Sequence, residues 1–259
     1  MPLLERFERR LPGVFGAVVG TREGPAAAHR ADEIFPAASL IKIPLLALFF
    51  RECESGRLDL NRTVKLKRKE KVGGSGILFE LHDGIPVTLL DLATLMIVVS
   101  DNTATNLVTD QIGMKKIPAG LKALGLKKTI YGRKLMVAPN DPPANFTTPM
   151  EMFVLLKKLA AGELLSRRNT GLALDILFRQ QYNEKIPLLL PEAAKVAHKT
   201  GEISGVRHDC GIVREGNGEW IGCFLTKKVR DELKADRIIA EAALACHEYY
   251  RGKGRKHGK

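Results

Sequence analysis

Apolar and polar residues alternate along this chain in two rhythms. Residues 2–10 place Leu3, Leu4 and Phe7 at helical spacing, which predicts a short amphipathic helix. Val14 to Gly20 is apolar with weak alternation, as in a strand, and a second short strand is expected before Phe35-Pro36. A strongly apolar helix then reads from about Ser39 to Arg51. Pro44 fits if that helix starts near Leu40, because its missing N–H falls in the first turn, where donors have no partner. Residues 73–84 are glycine-rich and read as a loop. Thr88 caps a helix over 89–99, Asn102 opens another to about Ile112, and Lys115 to Leu124 adds one more. Residues 131–147 hold Pro139, Pro142 and Pro143 and read as an irregular loop. Thr148-Pro149 starts a helix, with Glu151 in its first turn, that runs to about Ala161.

The last quarter changes rhythm. Ala194 to Glu202, Val206 to Arg214 and Glu219 to Thr226 read as strands, the last two joined at Gly216-Asn217-Gly218. Asp231 to Tyr250 closes the chain as a long amphipathic helix. Strands at both ends around a run of helices predict an α/β (α+β) class protein. One α/β domain is expected from residues 1–44 and 190–259, with an inserted all-helical domain over 45–189.

Composition narrows the class. The chain has 259 residues, 45% hydrophobic and 27% charged, which suits a packed globular protein. Its formal net charge is +12, concentrated in part at Lys65 to Lys71 and in the tail from Arg251 to Lys259. The excess is a solvated basic surface or an attraction for polyanions. Aromatics are only 6% and do not interleave with the basic residues, so no nucleic-acid partner is expected. The four cysteines match no metal-ligand or dense disulfide spacing. Cys210 and Cys223 flank the glycine-asparagine turn as candidate cross-strand neighbours, and free buried thiols are expected. The N-terminus lacks the marks of a signal peptide, and no stretch reaches the roughly 18 apolar residues of a membrane span. The expectation is a monomer without a membrane span, cytoplasmic, or secreted or periplasmic if the numbering is that of a mature form.

Candidate chemistry sits in three short motifs. In Ser39-Leu40-Ile41-Lys42, serine and lysine three apart share a helix face. A serine hydroxyl needs a base, and a lysine desolvated among Ala37, Ile41, Ile43 and Leu45 can serve. Alone this pair is weak, since about one is expected by chance in a chain this long. Ser100-Asp101-Asn102 follows an apolar helix and is equally a helix N-cap. His198-Lys199-Thr200-Gly201 ends a strand, where glycine lets a ligand approach the backbone.

Together, in this order, the motifs resemble the signature set of class A β-lactamases and penicillin-binding proteins. Ser100 to Leu107, Thr147-Thr148-Pro149 and Gly205-Val206-Arg207 extend the resemblance from about residue 10 to 250. It implies an antiparallel sheet flanked by helices, with an all-helical lobe. It also implies a serine hydrolase forming an acyl-enzyme with a β-lactam, amide or ester. In that frame Ser39 is the nucleophile, Lys42 its base, and Ser100 the proton relay to the leaving nitrogen. Asn102 holds the substrate's side-chain amide, Lys199 supplies positive potential, Thr200 receives the substrate carboxylate, and Gly201 belongs to the substrate-binding set. The N–H groups of Ser39 and Glu202 form the oxyanion hole. Arg207 adds charge for a carboxylate or is a surface arginine. No metal or cofactor is implied, and the partner is a small molecule, a β-lactam or peptidoglycan-like.

Two features depart from that pattern. Class A enzymes carry a glutamate in the omega-type loop, and its place here falls near Gly132, Arg133 or Lys134. The only acid in that loop is Asp141, in a turn-forming Pro139-Asn140-Asp141-Pro142. Deacylation is therefore expected to be slow, and a non-turnover penicillin-binding protein or covalent sensor is the alternative. A basic polyanion binder with a relic site ranks last. Glu202 stands where a small or hydroxyl residue is usual. It shares a strand face with Thr200, and it could activate water, repel a carboxylate or sit on a solvated rim.

Overall fold

The computed structural model describes residues 2–136 and 144–254. Asp141 and the prolines at 139, 142 and 143 lie outside the described residues. Helix α1 (Pro2–Arg10) leads into the hairpin β1 (Val14–Thr21) and β2 (Gly24–His29). A short strand β3 (Phe35–Pro36) and a 3₁₀ turn (Ala38–Ile41) precede α2 (Lys42–Glu54). The strands β4 (Thr63–Lys65) and β5 (Pro86–Thr88) pair with each other. Three helices follow: α3 (Leu89–Val98), α4 (Asn102–Ile112) and α5 (Ile117–Ala123). Strand β6 (Phe146–Thr147) returns to pair with β3 before α6 (Pro149–Ala161) and α7 (Arg167–Phe178). The chain ends with β7 (Lys195–Ile203), β8 (Val206–Glu215), β9 (Gly218–Lys227) and α8 (Glu232–Gly254).

The main sheet has the order β2-β1-β9-β8-β7, and every pairing is antiparallel. The first strand of the chain thus lies against the last, so both ends build one sheet. Alternation gives the sheet two apolar faces. Phe15, Ala17, Val19, Trp220 and Phe224 are packed with Leu4 and Phe7 of α1 and Ile238, Ile239 and Ala242 of α8. Val18, Ile212, Ile221 and Leu225 face the other way, into a larger core with α2, α3, α4 and α6. That core holds the wholly apolar stretch Ile43 to Phe50, which is why α2 is hydrophobic all round and not only along one stripe.

The helix starts follow the chemistry read from the sequence. Thr88 accepts from Asp91 N at 3.0 Å, and Thr148 accepts from Glu151 N at 3.1 Å with Pro149 at the first helical position. Some elements differ from expectation, among them the short strands β4, β5 and β6. The segment from Ser39 opens as a 3₁₀ turn, and the α-helix begins only at Lys42. Strand β2 is the second short strand expected before Phe35-Pro36, although its pattern is weak, and helix α7 was not expected because its pattern is weak too. Pro25, Ala26, Ala27 and Ala28 lack β-branched residues, and α7 places Arg, Asn, Thr and Gly in its first turns. Cys210 and Cys223 are directly opposed across β8 and β9, and both are buried free thiols. Among the described residues no helix is long and apolar enough to cross a membrane.

Candidate active site

The site is assembled where the sheet's edge strand β7 meets the start of α2. The 3₁₀ turn that carries Ser39 is held from two sides. Ala37 N donates to Asn145 O at 2.8 Å, and His208 Nε2 lies 2.8 Å from Pro36 O. Burial pushes the His208 imidazole down to about 4, so it is neutral. Its Nδ1 lies 3.0 Å from Thr226 N and 2.9 Å from Arg207 O, so the ring is held at both nitrogens. Ala38, just before the serine, has φ 43°, a left-handed value that a non-glycine residue adopts only when its surroundings enforce it. In a 3₁₀ turn residues i and i+3 eclipse, and this sets Ser39 in line with Lys42.

Lys42 is fully buried. Its Nζ lies 2.6 Å from Ser100 O, 2.9 Å from Ser100 Oγ and 2.9 Å from Asn102 Oδ1. Burial holds its amine well below the ordinary lysine value, and the nearby Lys199 cation adds to this; Asp101 opposes both. Among the described residues no hydrogen bond joins Lys42 to Ser39. The amine is instead docked on the second motif, as is common for a site without substrate.

The second motif supplies the helix cap that its sequence allowed and also faces the cavity. Asp101 caps α4, with Oδ1 accepting from Ala104 N at 2.7 Å. Its Oδ2 accepts from Ile77 N at 2.7 Å and Leu78 N at 2.8 Å, which ties the glycine-rich loop to the helix. Gly76, at φ 104°, permits that contact, since a Cβ there would lie 2.3 Å from Asp101. Ser100 is buried at φ 53°, so its hydroxyl is delivered to the cavity by a strained backbone. Asn102 Nδ2 donates to Gly73 O at 3.1 Å.

The third motif lies on β7. Lys199 is fully buried, and burial lowers its amine to about 7, with Lys185 adding repulsion and Asp209 and Glu202 opposing. Gly201 brings β7 against the 3₁₀ turn that carries Ser39, since a Cβ there would press on His208 and Leu40 at 3.2–3.3 Å. Glu202 forms an ion pair with Lys185, which is fully buried and also lies 3.3 Å from Asp236 Oδ1. Burial alone would raise the Glu202 carboxyl, but Lys185, Arg207 and Lys199 together hold it below its usual value.

These elements enclose a cavity of about 780 Å³. Of the residues expected from sequence, Ser39, Ser100, Asn102, Thr200 and Glu202 line it. Lys42 and Lys199 lie buried behind that lining, and Gly201 packs on His208. Arg207 does not line it. Its guanidinium is taken up by Glu232, Asp236 and the carbonyls of Ile203 and Val206. One stretch of the remaining wall is Arg133, Lys134, Leu135 and Met136, with no acid among them. Leu135 is clamped by Asn106, which accepts from its N–H and donates to its C=O, each at 2.9 Å. Sequence reasoning missed Lys185, Tyr182 and Leu135. Lys185 gave no signal, because its acid partners lie 17 and 51 residues away.

A model of the β-lactamase enzyme family matches residues 4–250. The chain belongs to that family. Its fold is the class A β-lactamase fold. It is 27% identical over 256 residues to β-lactamase CTX-M-97 of Escherichia coli, covering 95% of this chain and 88% of that one. A β-lactamase of Bacillus licheniformis is 28% identical over 248 residues, covering 93% and 79%. Among solved structures, the β-lactamase of Sphaerobacter thermophilus superposes with a TM-score of 0.90 at 30% identity, covering 96% of this chain and 95% of that one. PBP-A superposes with a TM-score of 0.87 at 28% identity, covering 97% of each.

Proposed function

We propose that this protein is a serine hydrolase that forms an acyl-enzyme at Ser39 with a β-lactam, amide or ester, and releases it slowly. The observation that carries the reading is Lys42: a fully buried, weakly basic amine docked on Ser100 and Asn102, in line with Ser39. Lys42 takes the hydroxyl proton as Ser39 Oγ bonds to the substrate carbonyl carbon. The developing oxyanion is met by the N–H groups of Ser39 and Glu202, the latter on an edge strand that has donors to spare. Ser100 passes a proton to the leaving nitrogen. Lys199 and Thr200 receive the substrate carboxylate, and Asn102 the acyl amide. Release needs a deprotonated water, and no acid in the wall at 133–136 supplies a base. At the slow limit the protein behaves as a penicillin-binding protein. A mutant of the neighbour PBP-A is itself known as an acyl-enzyme complex with penicillin G. A fluorescent penicillin tests the reading. Wild type should retain label through a denaturing gel and Ser39→Ala should not; equal labelling of both would refute it.

The pH profile follows from the two amines. Acylation rises with pH as Lys42 loses its proton and falls through about pH 7 as Lys199 loses its charge. A profile of acylation rate still flat between pH 7 and 9 would contradict the role given to Lys199.

Glu202 is a poor base while Lys185 holds it, so Glu202→Gln should leave release unchanged. Lys185 instead keeps a bare carboxylate from facing the substrate carboxylate beside Thr200. Lys185→Met should slow acylation by an anionic penicillin about tenfold, and adding Glu202→Gln should restore it. Failure of the double variant to recover would leave Lys185 with only a structural role.

A further inference from the structure

The cavity wall beyond Asn102 carries a cation that no carboxylate among the described residues neutralises. Lys134 is paired with Asp110, and Glu202 with Lys185. Arg133 lines the same cavity, and among the described residues no carboxylate pairs with its guanidinium. Its backbone is fixed. The N–H donates to Asn145 Oδ1 at 3.2 Å, and the C=O accepts from Asn145 Nδ2 at 3.1 Å. Asn145 O in turn accepts from Ala37 N, two residues before the nucleophile. Arg133 is thus tied in place relative to Ser39, and it is half-buried, where water screens its charge less than at an open surface.

The direction of the substrate decides what meets it. With the carboxylate at Thr200 and the acyl amide at Asn102, the acyl side chain points past Asn102. The wall there is Gly74, Met136 and Arg133. A Cβ on Gly74 would lie 2.8 Å from Asn102 Nδ2 and 3.1 Å from Met136 Sδ. A guanidinium presents a planar fork that matches a carboxylate. We propose that Arg133 forms an anion subsite for the acyl side chain, so that the protein selects acyl donors bearing a carboxylate on that group. This rests on the reading of Ser39 as the acylated residue.

Benzylpenicillin and α-carboxybenzylpenicillin form a matched pair that differs by this one carboxylate. Their second-order rates of adduct formation, followed by intact mass, give a ratio. In wild type the carboxylated compound should react about five- to tenfold faster at low salt, and the advantage should shrink as salt is added. Arg133→Gln should bring the ratio to about one, and Arg133→Lys should retain part of it. A wild-type ratio of one or less overturns the subsite. So does a ratio that survives Arg133→Gln, which would assign the preference to the general field of a chain of net charge +12. No adduct with either penicillin would overturn the reading of Ser39 itself, and the subsite with it.

Discussion

Lys42→Met slows acylation by about 10³- to 10⁴-fold while the protein stays folded. The loss has one cause. The methionine fills a similar volume in the same buried position but cannot take a proton. Folding should be little affected, because two opposing changes accompany the substitution. A buried amine no longer has to be desolvated, which favours the variant. Ser100 O and Asn102 Oδ1 lose a donor, at about 1 kcal/mol each. The melting temperature should therefore move by only a few degrees. A Lys42→Met protein that acylates within tenfold of wild type would move the base elsewhere in the site.

Leu135→Glu accelerates release of the acyl group by about 100-fold or more. Asn106 pins the Leu135 backbone through both its N–H and its C=O, so the side chain's direction into the cavity wall is set before any substitution. A carboxylate there lies among Arg133 and Lys134, which keep it ionised and able to take a proton from water. General-base catalysis supplies 10²- to 10⁴-fold when a base is placed within reach. Leu135→Gln is the control, similar in size and without basicity, and should release at the wild-type rate. Equal rates for the two variants would mean that the missing carboxylate does not limit release.

Much of this site was legible in the chain. Ser39-x-x-Lys42, Ser100-Asp101-Asn102 and Lys199-Thr200-Gly201 carry their chemistry in short windows, so residue type and spacing alone brought them to notice. The helices capped by Thr88 and Thr148 were legible for the same reason, since a cap is a local hydrogen bond. What escaped was set by distant packing. The 3₁₀ turn at Ala38–Ile41 depends on the tie to Asn145, more than 100 residues later. Lys185 carries no local mark of its role, which appears only when β7 and α8 close over it. Arg207 was open between two readings, and Glu232 and Asp236 draw it away from the cavity. The wall at 133–136 was found as an absence of acid, whereas its positive character needed the cavity to be seen.

The central claim is that Ser39 is acylated and then released slowly for want of a base. Its most direct test is a pulse of penicillin, removal of the excess, and intact-mass spectra of wild type and Ser39→Ala over hours. The account predicts a single adduct on wild type that outlasts the pulse by many minutes, and none on Ser39→Ala. An adduct that is gone within seconds would contradict the claim of slow release and require a base elsewhere in the cavity.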